Sequence, residues 1–147
     1  MSGVDDPFRL GRFVEAQESI YSVSLAELRA GRKRSHWMWF VFPQLAGLGI
    51  SQTALFYGLA GLPEAKAYLD QPVLGRRLRE ATEAVLSTEG RTLHAIFGSP
   101  DDLKFCSSMT LFELATKGSE QIFSVALDRF CDGERDERTL ALLAEVA

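Results

Sequence analysis

The chain has 147 residues, 46% of them hydrophobic and 24% charged, with a formal net charge of −4. Ten Phe, three Tyr and two Trp exclude an intrinsically disordered chain, and the length suits a single globular domain over residues 1–147. No membrane-spanning helix is expected, because the runs of consecutive apolar residues are short, and the acidic balance makes nucleic acid an unfavourable partner.

The N-terminal segment has the pattern of a helical region. Acidic residues followed by proline at 5–7 are typical of a helix start, because a carboxylate caps free N–H groups and proline lacks one. Apolar residues over 8–28 then recur at steps of three and four, and Gly31 ends the segment. Ser22 and Ser24 leave open whether this region is one helix or two.

The next stretch is unusual because it lacks a polar face. Three basic residues at 32–34 lead to six consecutive apolar residues at 37–42, four of them aromatic, and Pro43 closes the run. Protein or ligand must cover both sides of such a run. A short buried helix and an extended segment both fit its length.

Caps, prolines and apolar spacing predict further helices in the remainder of the chain. Ser99, Pro100 and two acids give a strong helix start, and the apolar residues that follow fall on nearly every side of the helix, which is typical of a central one. The sequence therefore predicts an all-α, compact multihelical single domain of six to nine helices around a central buried helix near residues 100–116. The other expected helices cover residues 52–60, 63–69, 72–86, 92–97, 119–131 and 136–146.

The cysteine and histidine content bears on compartment and metal binding. Cys106 and Cys131 each lie in an apolar segment, which favours buried thiols in a reducing compartment over a disulfide. His36 and His94 belong to no metal-binding spacing, so no metal and no cofactor is expected. The N-terminus lacks the basic and apolar regions of a signal peptide. We therefore expect a cytoplasmic protein.

Several segments in fixed order resemble a known family. They read DPFRLGRFVEAQ, GRKRSHWMWFVFPQLAGLG, EAKAYLDQPVLGRRL and IFGSPDDLKFCSSMTLF. The chain resembles, from about Asp5 to its C-terminus, the bacterial family known as domain of unknown function 1810. That resemblance implies a mostly helical, cytoplasmic single domain, and it implies no activity and no catalytic residues.

The first group of candidate site residues combines cations with flat aromatic rings: Lys33, Arg34, His36, Trp37 and Trp39. Such a group can hold a phosphate and stack a base or ribose, and a histidine can act as an acid or base near neutral pH. The alternative is a basic helix end followed by aromatic side chains that only fill the core.

The second group lies on the predicted central helix. Helical spacing places Asp101, Lys104 and Ser108 within about 60° of one another, and Ser107 is adjacent in sequence. A buried lysine needs a partner, which would be an anionic ligand or a carboxylate such as Asp101 or Glu113. A Ser–Lys pair can also form a nucleophile and its base.

A glycine-containing loop, Gly47–Gly49, matches no phosphate-binding pattern, but Gln44 before it has an amide that could bind a base edge.

The candidate residues support two hypotheses for the function. The first is binding of an anionic nucleotide-like molecule between the 33–44 segment and the 100–116 helix, with hydrolysis or group transfer by His36 and Lys104 as its catalytic form. The alternative is a non-catalytic module whose aromatic 37–42 segment receives a protein partner.

Overall fold

The helices of this chain are short because glycines, prolines and capping side chains interrupt them. The computed structural model describes residues 6–146, and for Val146 it describes the backbone alone. Within that part the order is α1 (Gly11–Glu18), α2 (Tyr21–Arg29), α3 (Met38–Val41), α4 (Gln52–Tyr57), α5 (Leu62–Asp70), α6 (Pro72–Leu86), α7 (Leu93–Phe97), α8 (Asp101–Ala115), α9 (Gln121–Phe130) and α10 (Glu137–Val146). Residues 6–146 contain no strand, so the all-α class is confirmed.

The described residues contain ten helices, more than the predicted six to nine. One reason is that the first region is two helices, broken between Glu18 and Tyr21. Ser22 and Ser24 do not cause the break, since both lie within α2. The other reason is that the 37–42 run forms a helix of one turn, α3.

The first helix begins later than the sequence suggested. Asp5 lies outside the described residues, and α1 starts at Gly11 rather than after the proline. The carboxylate of Asp6 nevertheless caps this end of the chain, because it accepts hydrogen bonds from the backbone N–H groups of Leu10 (2.7 Å) and Gly11 (2.9 Å).

The central position predicted for the helix near 100–116 is confirmed. Every side chain from Ser107 to Phe112 on α8 is buried, and the helix packs against α5, α7, α9 and α10. Its start differs from the prediction: Ser99 does not cap the helix, and Pro100 occupies the capping position.

The apolar 37–42 run packs into the core of the chain itself. Trp37, Met38, Val41 and Phe42 are buried. The ring of Phe42 contacts Phe105 on α8 edge-on, with 5.2 Å between ring centroids. This aromatic contact brings the 33–44 segment against the central helix.

A short extended pairing fixes the end of that segment. The helix expected over 52–60 ends at Tyr57, and Leu59 pairs instead with the residues beside Leu45. The N–H of Leu59 donates to the carbonyl of Gln44 (3.0 Å), and the N–H of Ala46 donates to the carbonyl of Leu59 (2.7 Å).

The prediction of free thiols was wrong. Cys106 on α8 and Cys131 at the end of α9 form a disulfide, with their Cα atoms 6.0 Å apart. The two helices are neighbours only after folding, so sequence spacing could not show the pairing. Within residues 6–146, none of the helices has both the length and the apolar character that a membrane crossing requires.

Candidate functional site

The carboxylate of Glu27 on α2 holds the start of the 33–44 segment in place. It accepts hydrogen bonds from the N–H groups of Arg34 (2.9 Å) and Ser35 (3.0 Å), the hydroxyl of Ser35 (2.7 Å) and the indole N–H of Trp37 (2.9 Å). Partial burial raises the pKa of this carboxyl, but the bonds from Ser35, Arg34 and Trp37 outweigh burial and lower the pKa to about 2. Glu27 therefore stays ionised and fixes the segment.

Lys33 is directed inward by this arrangement. Its side chain is only 7% exposed, and its ammonium group forms an ion pair with Asp101 at the start of α8 (2.9 Å). The same group donates to the carbonyl of Ser35 (2.6 Å) and lies 5.1 Å from the ring centroid of Trp37. Lys33 thus connects the 33–44 segment to the central helix.

Lys104 meets the same carboxylate from the other side. Its ammonium group lies 3.3 Å from the second oxygen of Asp101 and 3.7 Å from the ring centroid of Trp39. Two lysines therefore share one carboxylate, which leaves one positive charge in excess. Asp101 is one of the two carboxylates that the sequence suggested as partners of Lys104 in place of an anionic ligand. We call Lys33, Asp101, Lys104 and Trp39 the lysine–tryptophan cluster.

The two serines of the second group have different environments. The hydroxyl of Ser107 donates to the carbonyl of Leu103 (3.1 Å) within α8. Ser108 is fully buried, and its hydroxyl has no partner, the single such side-chain atom found in the described chain. Helical spacing places Ser108 one turn after Lys104 on the same face of α8. An unpartnered buried hydroxyl is costly, so this one requires an explanation.

The other predicted site residues do not join the cluster through their side chains. Trp37 is fully buried, so no ligand can stack on it. His36 and Arg34 are exposed, and neither side chain makes a hydrogen bond or ion pair within residues 6–146. Gln44 is half-buried and contributes its backbone carbonyl to the pairing with Leu59.

Sequence reasoning missed Glu27 and assigned Asp101 mainly to helix capping. Glu27 could have been found from the sequence, since it is the one acidic residue in the sequence of α2 and precedes a basic run. Asp101 could not be ranked above Asp102, because both fit the first turn of a helix equally well.

Two surface clefts lie away from the lysine–tryptophan cluster. One, of about 800 Å³, borders α1 and the end of α5 and is lined by Phe8 and Val14 among others. The other, of about 760 Å³, lies beside the disulfide and is lined by Leu103 and Cys106 among others. The 33–44 segment contributes to neither of them.

These features define a small all-α protein whose most distinctive polar site, in the part of the chain described, is a cluster of two lysines, a shared carboxylate and a tryptophan. The sequence profile of one family matches residues 7–143, and the chain belongs to that family, described as protein of unknown function (DUF1810). The resemblance seen in the sequence is thereby confirmed.

A solved structure is similar over nearly the whole chain. It is the crystal structure, at 1.38 Å, of a conserved hypothetical protein from Mycobacterium tuberculosis, with 56% sequence identity and a TM-score of 0.92. The match covers 95% of this chain and 99% of that one. No curated protein matches significantly. The comparisons establish the family and the fold and bring no activity with them.

Proposed function

We propose that the protein binds a flat, anionic small molecule, in the simplest case nucleotide-like, at the lysine–tryptophan cluster. The observation that carries the proposal is the position of the Lys104 ammonium group, 3.7 Å from the ring centroid of the half-buried Trp39 and paired with an Asp101 that Lys33 already neutralises. A ligand phosphate would match the excess positive charge.

Binding would exchange one anion for another. The side chain of Lys104 is 19% exposed against 7% for Lys33, so Lys104 is the lysine that an incoming phosphate would reach first. The flexible lysine stem can turn away from the indole ring and leave that face free for a base to stack.

The catalytic form of this function is hydrolysis or group transfer, with His36 as acid or base and Lys104 stabilising developing negative charge. It has less support than binding, because His36 is exposed and no carboxylate orients it within residues 6–146. Catalysis therefore stays a prediction. A cytoplasmic location also stays a prediction. Two sequence features favoured it, free thiols and an N-terminus unlike a signal peptide, and the disulfide removes the first of them.

The alternative function, a protein-interaction module based on residues 37–42, loses most of its surface. Four of the six side chains in that run are buried in the core, and only Trp39 and Phe40 keep partial exposure. A partner protein could reach little of this segment without unfolding it. We therefore favour the small-molecule function.

The test is a thermal-shift screen with nucleotides, NAD, ADP-ribose, sugar phosphates and short RNA. A ligand at 100 times its dissociation constant stabilises the folded state by about 2.7 kcal/mol, which raises Tm by at least about 5 °C at this chain length. We expect a hit to shift the wild type and the control Lys66→Ala, an exposed lysine on α5, but not Lys104→Ala. An equal shift in Lys104→Ala, or no shift with any compound, would refute the proposal.

Tryptophan fluorescence gives an independent readout. Trp37 is fully buried and Trp39 is partly exposed, so a stacking ligand should quench mainly Trp39. We expect the quenching to be lost in Trp39→Phe. Equal quenching in that variant would place the ligand elsewhere.

A further inference from the structure

The disulfide borders an open cleft instead of being sealed in the core. Cys106 and Cys131 both line the cleft of about 760 Å³ beside α8. Cys131 is 9% exposed, and Cys106 is more exposed than that. A thiolate that enters the cleft can therefore approach the disulfide, and Cys106 is the less buried of the two cysteines.

Carboxylates outnumber cations around this cleft. Of the two arginines, Arg135 is already paired with Glu113 and Asp128. The rim therefore has a net negative charge that would repel an anionic thiol and tolerate a neutral or cationic one. The charged lining residues are Asp102, Asp132, Glu134, Asp136 and Glu137 against Arg135 and Arg138.

The cysteines also lie next to the attachment of α10. The hydroxyl of Thr110 donates to the carbonyl of Cys106 (2.8 Å) and accepts from the N–H of Asp136 (2.9 Å), at the start of α10. The chain reaches that point directly from Cys131 through residues 132–135. Loss of the disulfide would therefore remove a covalent fixation of the connection that leads into α10.

We propose that Cys106–Cys131 is a thiol–disulfide exchange site for a neutral or cationic dithiol. One thiolate of the dithiol attacks the sulfur of Cys106, the sulfur of Cys131 leaves as a thiolate, and a mixed disulfide forms. The second thiolate of the dithiol attacks its own mixed disulfide and releases Cys106. Two electrons pass to the protein, the dithiol becomes a cyclic disulfide, and both cysteines take up a proton. The reduced protein then has a more loosely attached α10.

The rate of reduction tests the site. The native protein is reduced with dithiothreitol, which is neutral, or with glutathione, which has a net negative charge, and the free thiols are alkylated and counted by mass. Each rate is divided by the rate for an unstructured disulfide peptide at the same thiolate concentration. We expect the normalised rate for glutathione to be about fivefold lower at low salt, and the difference to disappear at about 1 M salt.

Asp132→Asn and Glu134→Gln remove two negative charges from the rim. They should reduce the difference between the normalised reduction rates for dithiothreitol and glutathione. Equal normalised rates in the wild type would overturn the selectivity. Reduction that proceeds no faster than global unfolding would overturn the site itself, because the disulfide would then be reached only in unfolded chains.

Hydrogen exchange tests the consequence for α10. We expect faster amide exchange over residues 131–146 in the reduced protein than in the oxidised one, and equal exchange in α1, which packs mainly against α3 and α6. Cys106→Ser/Cys131→Ser should exchange like the reduced wild type, and reduced wild type alone suffices if that variant does not fold. Identical exchange of 131–146 in both redox states would overturn the coupling.

Discussion

The carboxylate of Glu27 is the contact whose removal should affect the 33–37 segment most directly. Glu27→Gln keeps the size of the side chain and an acceptor oxygen for the three N–H donors from Arg34, Ser35 and Trp37. The new amide group faces the hydroxyl of Ser35, which can accept from it. The substitution therefore removes the charge and leaves the geometry in place.

The pKa of the Glu27 carboxyl gives the size of the effect. It falls from 4.5 to about 2 on folding, which corresponds to about 3.4 kcal/mol, and solvent at the partly exposed group reduces this to roughly 2 kcal/mol. Because the folded pKa is the lower one, the stabilisation is complete above pH 4.5 and is lost as the pH falls toward 2. The difference between wild type and Glu27→Gln should shrink to about 1 kcal/mol at pH 3.

Urea unfolding followed by circular dichroism at pH 7, 5, 4 and 3 measures this difference. Glu15→Gln is the control, since Glu15 is exposed on α1, and it should change the free energy of unfolding by less than about 0.5 kcal/mol at each pH. A wild-type advantage over Glu27→Gln that stays constant from pH 7 to 3 would refute the argument from hydrogen bonding to the charged form.

Three further predictions concern stability. The disulfide closes a loop of 25 residues, so Cys106→Ala/Cys131→Ala should lose about 3.5 kcal/mol and lower Tm by roughly 10 °C in calorimetry; a loss under about 1 kcal/mol would contradict this. Glu64→Ala leaves Arg12, whose side chain is 11% exposed and lies 3.0 Å from Glu64, without a counterion and should cost about 3 kcal/mol in urea unfolding, whereas a near-neutral result would show that the surrounding carbonyl groups suffice. Ser108→Ala removes the unpartnered hydroxyl and should raise the free energy of unfolding by up to about 1 kcal/mol; destabilisation would show that the hydroxyl has a partner in solution.

Local patterns in the sequence were sufficient for most of the helices. A serine directly before a helical segment is typical of a cap, and the hydroxyl of Ser51 accepts a hydrogen bond from the N–H of Ala54 (3.1 Å). The continuous apolar surface around residues 103–114 correctly predicted the buried central helix. Such signals are readable because a cap or a helical face involves residues within about four positions of one another.

The same local reasoning failed where distant residues decide the outcome. Ser99 is a good capping residue, but the helix starts one position later and Pro100 occupies the capping position. The sequence indicated that Cys106 and Cys131 are separate buried thiols. The packing of α8 against α9 brings them together in a disulfide. The two tryptophans look alike in the sequence, yet packing buries Trp37 completely and leaves Trp39 accessible.

The sequence by itself determined an all-α chain, its central helix and the short list of residues that could form a site. Only the tertiary structure decided that Lys33 and Lys104 share Asp101 beside Trp39, and that His36 stands apart in solvent. The physical reason is the range of the interactions. Caps and apolar periodicity act between residues a few positions apart. The ion pair of Lys33 with Asp101 joins residues far apart in sequence, and it depends on the core packing that brings the 33–44 segment against α8.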